Sequence, residues 1–456
     1  MENNLTSGSV FKNILIFSLP YLLSYLLQTL YGMADLYIIG QFGGVADSSA
    51  VSIGSQVMHM LTVMIVGLAM GATVFIGQAI GGNNPAKAAK GIGNTVTVFM
   101  AVSVVLTVIL VALVKPVTAA MSTPADAVSG TVDYLTICFI GIPFITAYNV
   151  ISAVFRGLGD SKSPMYFIAI ACAANIGLDY LFMGAFHLGP AGAALGTTLS
   201  QAISVVVSLT VILKQKTGIS LTKADFRPDH PVMGRILKIG IPVALQDGLI
   251  QIAFIVITII VNNRGLSDST AVGIVEKVMS FLFLVPSSML STVSALGAQN
   301  IGADKPERAV DTLRYAAFLA AGFGCIVAVV IQFWAEQVVA LFTDATTVEG
   351  AEVVRLGGQY LRGYVWDCIF AGVHFCFSGY FCAVGKSGIS FLHNIIAIVL
   401  MRVPGVYLTS ELFPATLFPM GLATASGSVI SVVICVIAFT VLMKKGKKNR
   451  VGVQHG

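Results

Sequence analysis

The chain has 456 residues, of which 56% are hydrophobic and only 10% are charged, and its formal net charge is +5. Soluble domains carry about 25% charged residues, so a water-soluble enzyme, which must cover its surface with polar side chains, is excluded. Apolar stretches recur along the whole chain, and each is long enough to cross the ~30 Å hydrocarbon core of a bilayer as a helix. The composition therefore predicts an all-α, polytopic membrane protein.

Twelve apolar segments separated by polar breaks are predicted to be membrane-spanning helices. Basic residues gather in alternate connections between them, and the opposite connections hold little beyond Lys115 and Arg264. Since Lys and Arg are enriched in short cytoplasmic loops, we expect both termini to be cytoplasmic and the protein to lie in the cell membrane. The approximate limits of the spans are 14–39, 51–77, 92–114, 134–156, 164–184, 191–213, 236–262, 270–297, 313–335, 353–381, 388–410 and 418–443.

The second half of the sequence repeats the first. The segment Gln78–Gly81 matches Gln299–Gly302 at an offset of 221 residues. The segment Tyr134–Gly159 likewise matches Tyr360–Gly385 at an offset of 226. Each half has an even number of spans, so the two halves keep the same orientation and are related by an axis along the membrane normal. We expect a six-helix lobe at 1–214, a cytoplasmic linker at 215–234, a second six-helix lobe at 235–443 and a basic cytoplasmic tail at 444–456.

Motifs for nucleotide or metal chemistry are missing from the sequence. There is no G-x-x-x-x-G-K-[ST] phosphate loop and no H-E-x-x-H zinc motif. No nucleophile–base pair or metal-ligand cluster can be assembled within the spans, so we expect a protein that is not an enzyme and has no cofactor or nucleic-acid partner. An ion gradient is then the energy source for any transport.

Polar side chains within the first-half spans follow helical spacing. Gln28, Tyr31 and Asp35 lie at i, i+3 and i+7 on one face of the first span. Asn175 and Asp179 lie at i and i+4 on one face of the fifth span. Each in-span charge costs at least ~2.5–3.5 kcal/mol at the bilayer centre unless it is sheltered, which favours a functional role for the two acids.

The predicted depths of these groups agree. Asp35, Asp179 and Thr197, which lies in the sixth span, are all ~6–9 Å below the outer boundary at a rise of ~1.5 Å per residue, with Asn175 about one turn deeper. Carboxylate, amide and hydroxyl oxygens suit a hard cation such as Na⁺. Two neighbouring carboxyl groups also suit a proton, and hydrogen bonds that only support packing are a third interpretation.

The second half does not reproduce this group. The position that matches Asp35 at an offset of 222 is Ile257, and Arg402 falls within about one residue of the place that matches Asn175. We therefore expect a coupling site in the first half only.

Other in-span polar residues are candidates for lining a substrate cavity. Asp247 and Asp367 either face a cavity between the lobes and attract cationic cargo, or one of them forms a buried ion pair with Arg402. The candidate cavity residues are Gln28, Tyr31, Gln246, Asp247, Asp367 and Arg402.

Prolines occupy corresponding places in the first and seventh spans, at Pro20 and Pro242. A proline within a helix removes a backbone hydrogen bond and favours a kink. We interpret the two positions as conformational kinks in a protein that changes shape, with purely structural kinks as the alternative.

Taken together and in order, the motifs resemble those of the MATE family of multidrug and toxic-compound extruders, in its bacterial multidrug type. The resemblance implies two pseudo-symmetric six-helix lobes, efflux of amphipathic organic cations in exchange for Na⁺ or H⁺, and a cation site at Asp35, Asn175, Asp179 and Thr197. The sequence departs from the family at Cys382-Ala-Val-Gly385, where an Arg-Gly pattern is expected. The motifs that carry the resemblance are Pro20 with Asp35, Gln78-x-x-Gly81-x-x-x-Pro85, Arg156-Gly-Leu-Gly-Asp160, Asn175-x-x-x-Asp179 and Thr197.

A flippase for lipid-linked saccharides, from the same superfamily, is the alternative function. Such a protein needs cationic cavity residues to bind pyrophosphate, and Arg156 and Arg402 are the candidates here. In-span acids outnumber in-span bases, which favours cationic cargo. We expect the transporter to work as a monomer in the lipid bilayer, and the sequence leaves Na⁺ and H⁺ equally open as the coupling ion.

Overall fold

The computed structural model describes residues 5–214 and 219–453, with side chains for 5–212 and 219–445. Regular secondary structure in these ranges is entirely helical. Of the predicted linker, residues 215–218 lie outside the described residues, as do residues 454–456 of the predicted tail. The α-helices are α1 (Val10–Phe42), α2 (Val45–Gly81), α3 (Pro85–Ala112), α4 (Val114–Ala120), α5 (Val128–Ile140), α6 (Ile142–Leu158), α7 (Lys162–Asp179), α8 (Gly189–Lys214), α9 (His230–Asn262), α10 (Leu266–Leu282), α11 (Leu284–Gly302), α12 (Pro306–Ala340), α13 (Val348–Tyr364), α14 (Asp367–Ala383), α15 (Ser387–Ala397), α16 (Val403–Leu412) and α17 (Phe418–Val453).

Three shorter helical segments complete this part of the chain. A 3₁₀ turn at Ala125–Ala127 precedes α5. A π-helical segment at Tyr180–Ala185 extends α7, and another at Ile398–Arg402 joins α15 to α16. π-Helical turns are rare and occur frequently at functional sites.

The number of membrane spans agrees with the sequence. Ten spans in the described chain are long and apolar enough to cross a bilayer, and two bent helix pairs bring the number to twelve. The chain is thus an all-α protein with the predicted number of candidate spans.

The fourth and tenth spans, however, are bent pairs rather than single helices. Ala125–Ile140 and Ile142–Leu158 meet at 48°, and Val348–Tyr364 and Asp367–Ala383 meet at 40°. Pro143 lies in the first turn of α6, so its missing N–H group leaves no hydrogen bond of α6 unmade. The same proline prevents α5 from continuing unbroken into α6. The two breaks lie at matching places in the repeat, which a hydropathy average over each span does not detect.

The first of two compact units comprises the chain up to Ala244 together with Ala295–Ala309. In this unit, α2 packs against α6 and α3, and α7 packs against α1 and α8. Buried apolar side chains such as Phe75, Phe99 and Val150 form the core between α2, α3 and α6.

Within the first unit, the ends of α2 and α11 approach each other through a repeated motif. A Cβ atom added at Gly81 would overlap the carbonyl oxygen of Gln299, and one added at Gly302 would overlap that of Gln78. Small residues allow helix backbones to approach this closely. The repeated Gln-x-x-Gly motif therefore builds a reciprocal helix contact.

The second unit comprises Leu245–Ser294 and the chain from Val310. Here α13 packs against α17 and α10, and α14 packs against α17. The core includes the buried Tyr360 and Tyr364, and the Tyr360 hydroxyl shares a hydrogen bond with Thr424 Oγ1 at 3.1 Å.

Both candidate kink prolines lie inside long helices. Pro20 is within α1 and Pro242 is within α9, and each helix extends over 33 residues. Their role in a conformational change stays a prediction.

Candidate cation-binding site

Asp35 is buried within the first unit, where α1 and α8 are joined by hydrogen bonds. Thr197 Oγ1 donates to Asp35 Oδ2 at 3.0 Å. One turn before Asp35, the Tyr31 hydroxyl donates to the backbone carbonyl of Thr197 at 3.2 Å and lies 3.2 Å from Ser200 Oγ. Asp35 therefore has a fixed hydroxyl donor on one oxygen, and that donor is itself positioned by α1.

A second acid meets Asp35 from α7. Asp179 and Asn175 are fully buried, and the Asp179 carboxyl lies next to that of Asp35. The Asn175 side chain lies beside both carboxyl groups. The helix spacing that puts Asn175 and Asp179 on one face thus brings both to Asp35.

Most polar atoms of this group lack a hydrogen-bond partner among the described residues. These atoms are Asp35 Oδ1, both Asp179 carboxyl oxygens, and the Asn175 Oδ1 and Nδ2 atoms. A buried carboxylate without a partner costs several kcal/mol, and two touching carboxylates cannot both stay ionised without a compensating charge. The group is chemically complete only with a proton or a cation between its oxygens.

The donor set suits either species. Two carboxyl groups, an amide oxygen and a hydroxyl are the oxygen ligands that a hard cation takes. They come from Asp35, Asp179, Asn175 and Thr197, which are the four residues that the sequence singled out. Their role as a coupling site remains a prediction.

Gly196, immediately before Thr197, is a site residue that sequence reasoning missed. A Cβ atom added at Gly196 would overlap Asp179 Oδ1 and would lie 3.5 Å from Asn175 Nδ2. Glycine at this point lets α8 approach the two polar side chains of α7. The only signal in the sequence was a glycine next to a candidate ligand, which is too common to be informative.

In the second unit, the structure pairs Asp367 with Arg402. The Arg402 Nη2 atom lies 2.9 Å from Asp367 Oδ2 and also donates to Ser428 Oγ at 3.2 Å. Of the two arrangements left open by the sequence, the buried ion pair is present, and it involves Asp367 rather than Asp247.

The remaining candidate cavity residues have separate surroundings. Gln246 is buried and accepts a hydrogen bond from Ser390 Oγ at 2.6 Å, and Asp247 is half-buried beside it. Gln28 is half-buried near Tyr148 in the first unit. Their role as cavity residues stays a prediction.

Comparisons with known proteins agree with this architecture. The sequence profile of the MatE family matches residues 20–181 and 242–408. The chain is 29% identical over 92% of its length to the probable multidrug resistance protein YpnP of Bacillus subtilis strain 168, covering 92% of that protein. It is 27% identical to the probable multidrug resistance protein YoeA of the same strain, over 80% of this chain and 79% of that protein.

The fold has close counterparts among solved structures. A crystal structure of MATE in complex with MaL6 superimposes with a TM-score of 0.90 over 97% of this chain and 98% of that one, at 21% sequence identity. The chain therefore belongs to the MatE family of multidrug efflux transporters.

Proposed function

We propose that the protein exports amphipathic organic cations from the cell in exchange for Na⁺ or H⁺ that binds between Asp35 and Asp179. The observation that carries the proposal is the pair of facing, buried carboxyl groups whose free oxygens have no hydrogen-bond donor among the described residues. The electrostatic energy of such a pair changes strongly between its ion-bound and ion-free forms. Occupancy of the pair can therefore bias a conformational equilibrium.

In this mechanism the coupling ion and the cargo compete, because each favours a different conformational state of the transporter. Rocking of two lobes about a central cavity exposes the cargo to one side of the membrane at a time. Entry of the coupling ion at Asp35 and Asp179 favours the state that binds cargo poorly, so the cargo leaves outward. By linkage, cargo weakens ion binding by the same factor, and a ligand with equal affinity for both states would shift nothing.

Cationic cargo is favoured over anionic cargo by the charges. The first-unit site contributes two acids, and the guanidinium of Arg402 is already engaged by Asp367. The relatives YpnP and YoeA are named as probable multidrug resistance proteins, which also supports drug-like cargo over lipid-linked saccharides. We place the protein in the cell membrane with both termini cytoplasmic, as the distribution of basic residues predicts, and propose that it works as a monomer.

Ethidium efflux from proteoliposomes under separate Na⁺ and H⁺ gradients tests the proposal. One gradient should drive efflux by the wild-type protein, and both Asp35→Asn and Asp179→Asn should abolish it while the protein stays folded. Asp126→Asn is the matched control, because Asp126 is exposed in the 3₁₀ turn before α5. Gradient-driven efflux at the wild-type rate from both site variants would remove the proposal.

A further inference from the structure

Arg402 is held in the second unit by contacts from three sides. Its Nη2 atom pairs with Asp367 Oδ2 at 2.9 Å, and the Asp367 side chain is fully buried whereas that of Arg402 is 12% exposed. Its Nε atom donates to the carbonyl oxygen of Thr424 at 3.1 Å. The guanidinium also lies over the ring of Phe254, 6.0 Å from its centre. Arg402 is thus a fixed positive charge beside a buried carboxylate.

The repeat places Arg402 where the first half has Asn175. Gly159 and Gly385, which are 226 positions apart, both have left-handed backbone conformations, with φ of 89° and 72°. Asn175 follows the first glycine by 16 residues, and Arg402 follows the second by 17. The π-helical segment Ile398–Arg402 accommodates the additional residue, because a π-turn closes over one residue more than an α-turn.

The glycines of the neighbouring helices support the same correspondence. A Cβ atom added at Gly196 on α8 would lie 3.5 Å from Asn175 Nδ2, and one added at Gly427 on α17 would lie 3.4 Å from Arg402 Nε. In each half, therefore, a glycine of the last membrane helix faces the polar side chain at this position.

We propose that the Arg402 guanidinium is a built-in cation of the second half. It lies beside Asp367 and replaces, in the second half, the mobile coupling ion that binds beside Asp35 and Asp179 in the first half. It thereby limits the transporter to a single coupling-ion site. This inference rests on the proposed function in that the first-half acids bind the coupling ion.

The charge balance of the two halves explains the assignment. The first half has two facing carboxyl groups, and no basic side chain of its described residues forms an ion pair with them, so their compensating charge comes from solution. In the second half, one carboxylate is matched by one guanidinium on the same framework of helices. A tethered cation cannot dissociate, so the Asp367–Arg402 pair stays neutral whatever the ion concentration on either side.

Ion binding to the purified full-length protein tests this directly, with radioactive Na⁺ and guanidinium as the probes. In the Asp35→Asn background we expect no saturable binding. The double variant Asp35→Asn/Arg402→Gln should gain one saturable site for one of these cations, and a further Asp367→Asn change should remove it. A folded double variant that binds neither cation would overturn the proposal. Since Asp35 is already replaced, this result does not depend on whether the first-half site drives transport.

Chemical rescue in otherwise wild-type protein is the second measurement. Arg402→Ala leaves Asp367 buried and unpaired, so ethidium efflux should fall by about tenfold or more, and millimolar guanidinium in the buffer should restore it. Arg362→Ala is the control, because Arg362 pairs with Glu336 at 3.0 Å in the same unit but both side chains are partly exposed. Guanidinium should leave that control unchanged.

A structural role for Arg402 would give different results. If Arg402→Ala is folded but guanidinium does not restore its efflux, the arginine acts as a brace and the proposal fails. If Arg402→Ala does not fold, the neutral pair Asp367→Asn/Arg402→Gln replaces it. That pair should transport at near the wild-type rate, because both charges are removed together, and loss of its transport would count against the proposal.

Discussion

Thr197 Oγ1 on α8 donates a hydrogen bond to Asp35 Oδ2 on α1 at 3.0 Å, across 162 positions of sequence. This contact fixes one oxygen of Asp35, and the other, Oδ1, is buried without a hydrogen-bond partner among the described residues. The hydroxyl favours the ionised carboxylate, so it prepares Asp35 as a ligand for a metal cation such as Na⁺ and weakens its affinity for a proton.

Replacement of the Thr197 hydroxyl should shift the ion dependence of coupling in a direction set by the ion. A hydrogen bond to a charged group contributes about 1.5–3 kcal/mol, so Thr197→Val should raise the Na⁺ concentration for half-maximal ethidium efflux by about tenfold or more if Na⁺ couples. If H⁺ couples, the same change should lower the required proton concentration, because the lost donor favoured the ionised carboxylate. Thr197→Ser keeps the hydroxyl and should stay near the wild-type value. Equal ion dependence of the two variants would show that the hydroxyl does not act on the site.

Gly196→Ala should disable the site although it removes no polar group. The added Cβ atom would overlap Asp179 Oδ1, which forces the two acids apart or moves α8. We expect loss of ion-dependent efflux. Gly177→Ala is the matched control on α7, because a Cβ atom there meets nothing within 4 Å. Efflux from Gly196→Ala at the level of this control would mean that α8 does not approach the Asp179 side chain this closely.

The contact between the ends of α2 and α11 should be sensitive to a single methyl group. Gly81→Ala brings a Cβ atom onto the Gln299 carbonyl, and such overpacking costs about 1–3 kcal/mol. Thermal unfolding in detergent should therefore occur at a lower temperature. Gly322→Ala on α12 has nothing within 4 Å of the new Cβ atom and should be neutral or slightly stabilising. A Gly81→Ala variant with the stability of this control contradicts the prediction.

The segment before α9 docks on α3 through polar contacts. Asn94 Oδ1 accepts the backbone N–H of Asp229 at 2.7 Å, and Asn94 Nδ2 donates to the Asp225 carbonyl at 3.1 Å. Asn94→Ala should therefore increase hydrogen–deuterium exchange in residues 222–232. Thr95→Ala is a control, since the Thr95 hydroxyl donates to the Gly91 carbonyl of its own helix. Equal exchange in the two variants would show that the Asn94 side chain does not hold this segment on α3.

The pH dependence of this docking has a defined sign. The Lys90 ammonium bonded to the Asp229 carboxyl lowers the pKa of that group. Because the folded pKa is depressed, the contact stabilises docking above the unfolded value of about 3.9 and is lost as the pH falls through the folded value. Protection of residues 222–232, corrected for intrinsic exchange, should be constant from about pH 7 to 5 and fall below about pH 4. Asp229→Asn should reduce this change, and the remainder comes from Asp225, whose pKa is lowered by hydrogen bonds from Thr222. A transition near neutral pH would contradict the assignment.

Hydropathy and helical spacing predicted the features that depend on one helix at a time. The number of candidate spans follows from segment length, and the i, i+4 spacing of Asn175 and Asp179 places both on the face that meets Asp35. Shared depth in the membrane also pointed to the grouping of Asp35, Asp179 and Thr197, but the individual contacts between helices were not predictable. The close approach at Gly196 and the choice of Asp367 over Asp247 as the partner of Arg402 are set by packing, which hydropathy does not encode.

Local backbone geometry was the other feature that the sequence did not predict. The bends near Gly141 and between Tyr364 and Asp367 lie within apolar runs, so averaged hydropathy shows a single span in each case. The π-helical segment ending at Arg402 shifts the repeat by one residue and has no signature in the residue types involved.

Release of the coupling ion on addition of ethidium to purified protein measures the exchange itself. Reciprocal linkage requires that cargo binding expel the ion held between the two carboxyl groups. The wild-type protein should release protons or radioactive Na⁺ as ethidium binds, and Asp35→Asn should bind ethidium without releasing either. Saturating ethidium binding to the wild-type protein with no ion released, or equal release from Asp35→Asn, would contradict exchange at this site.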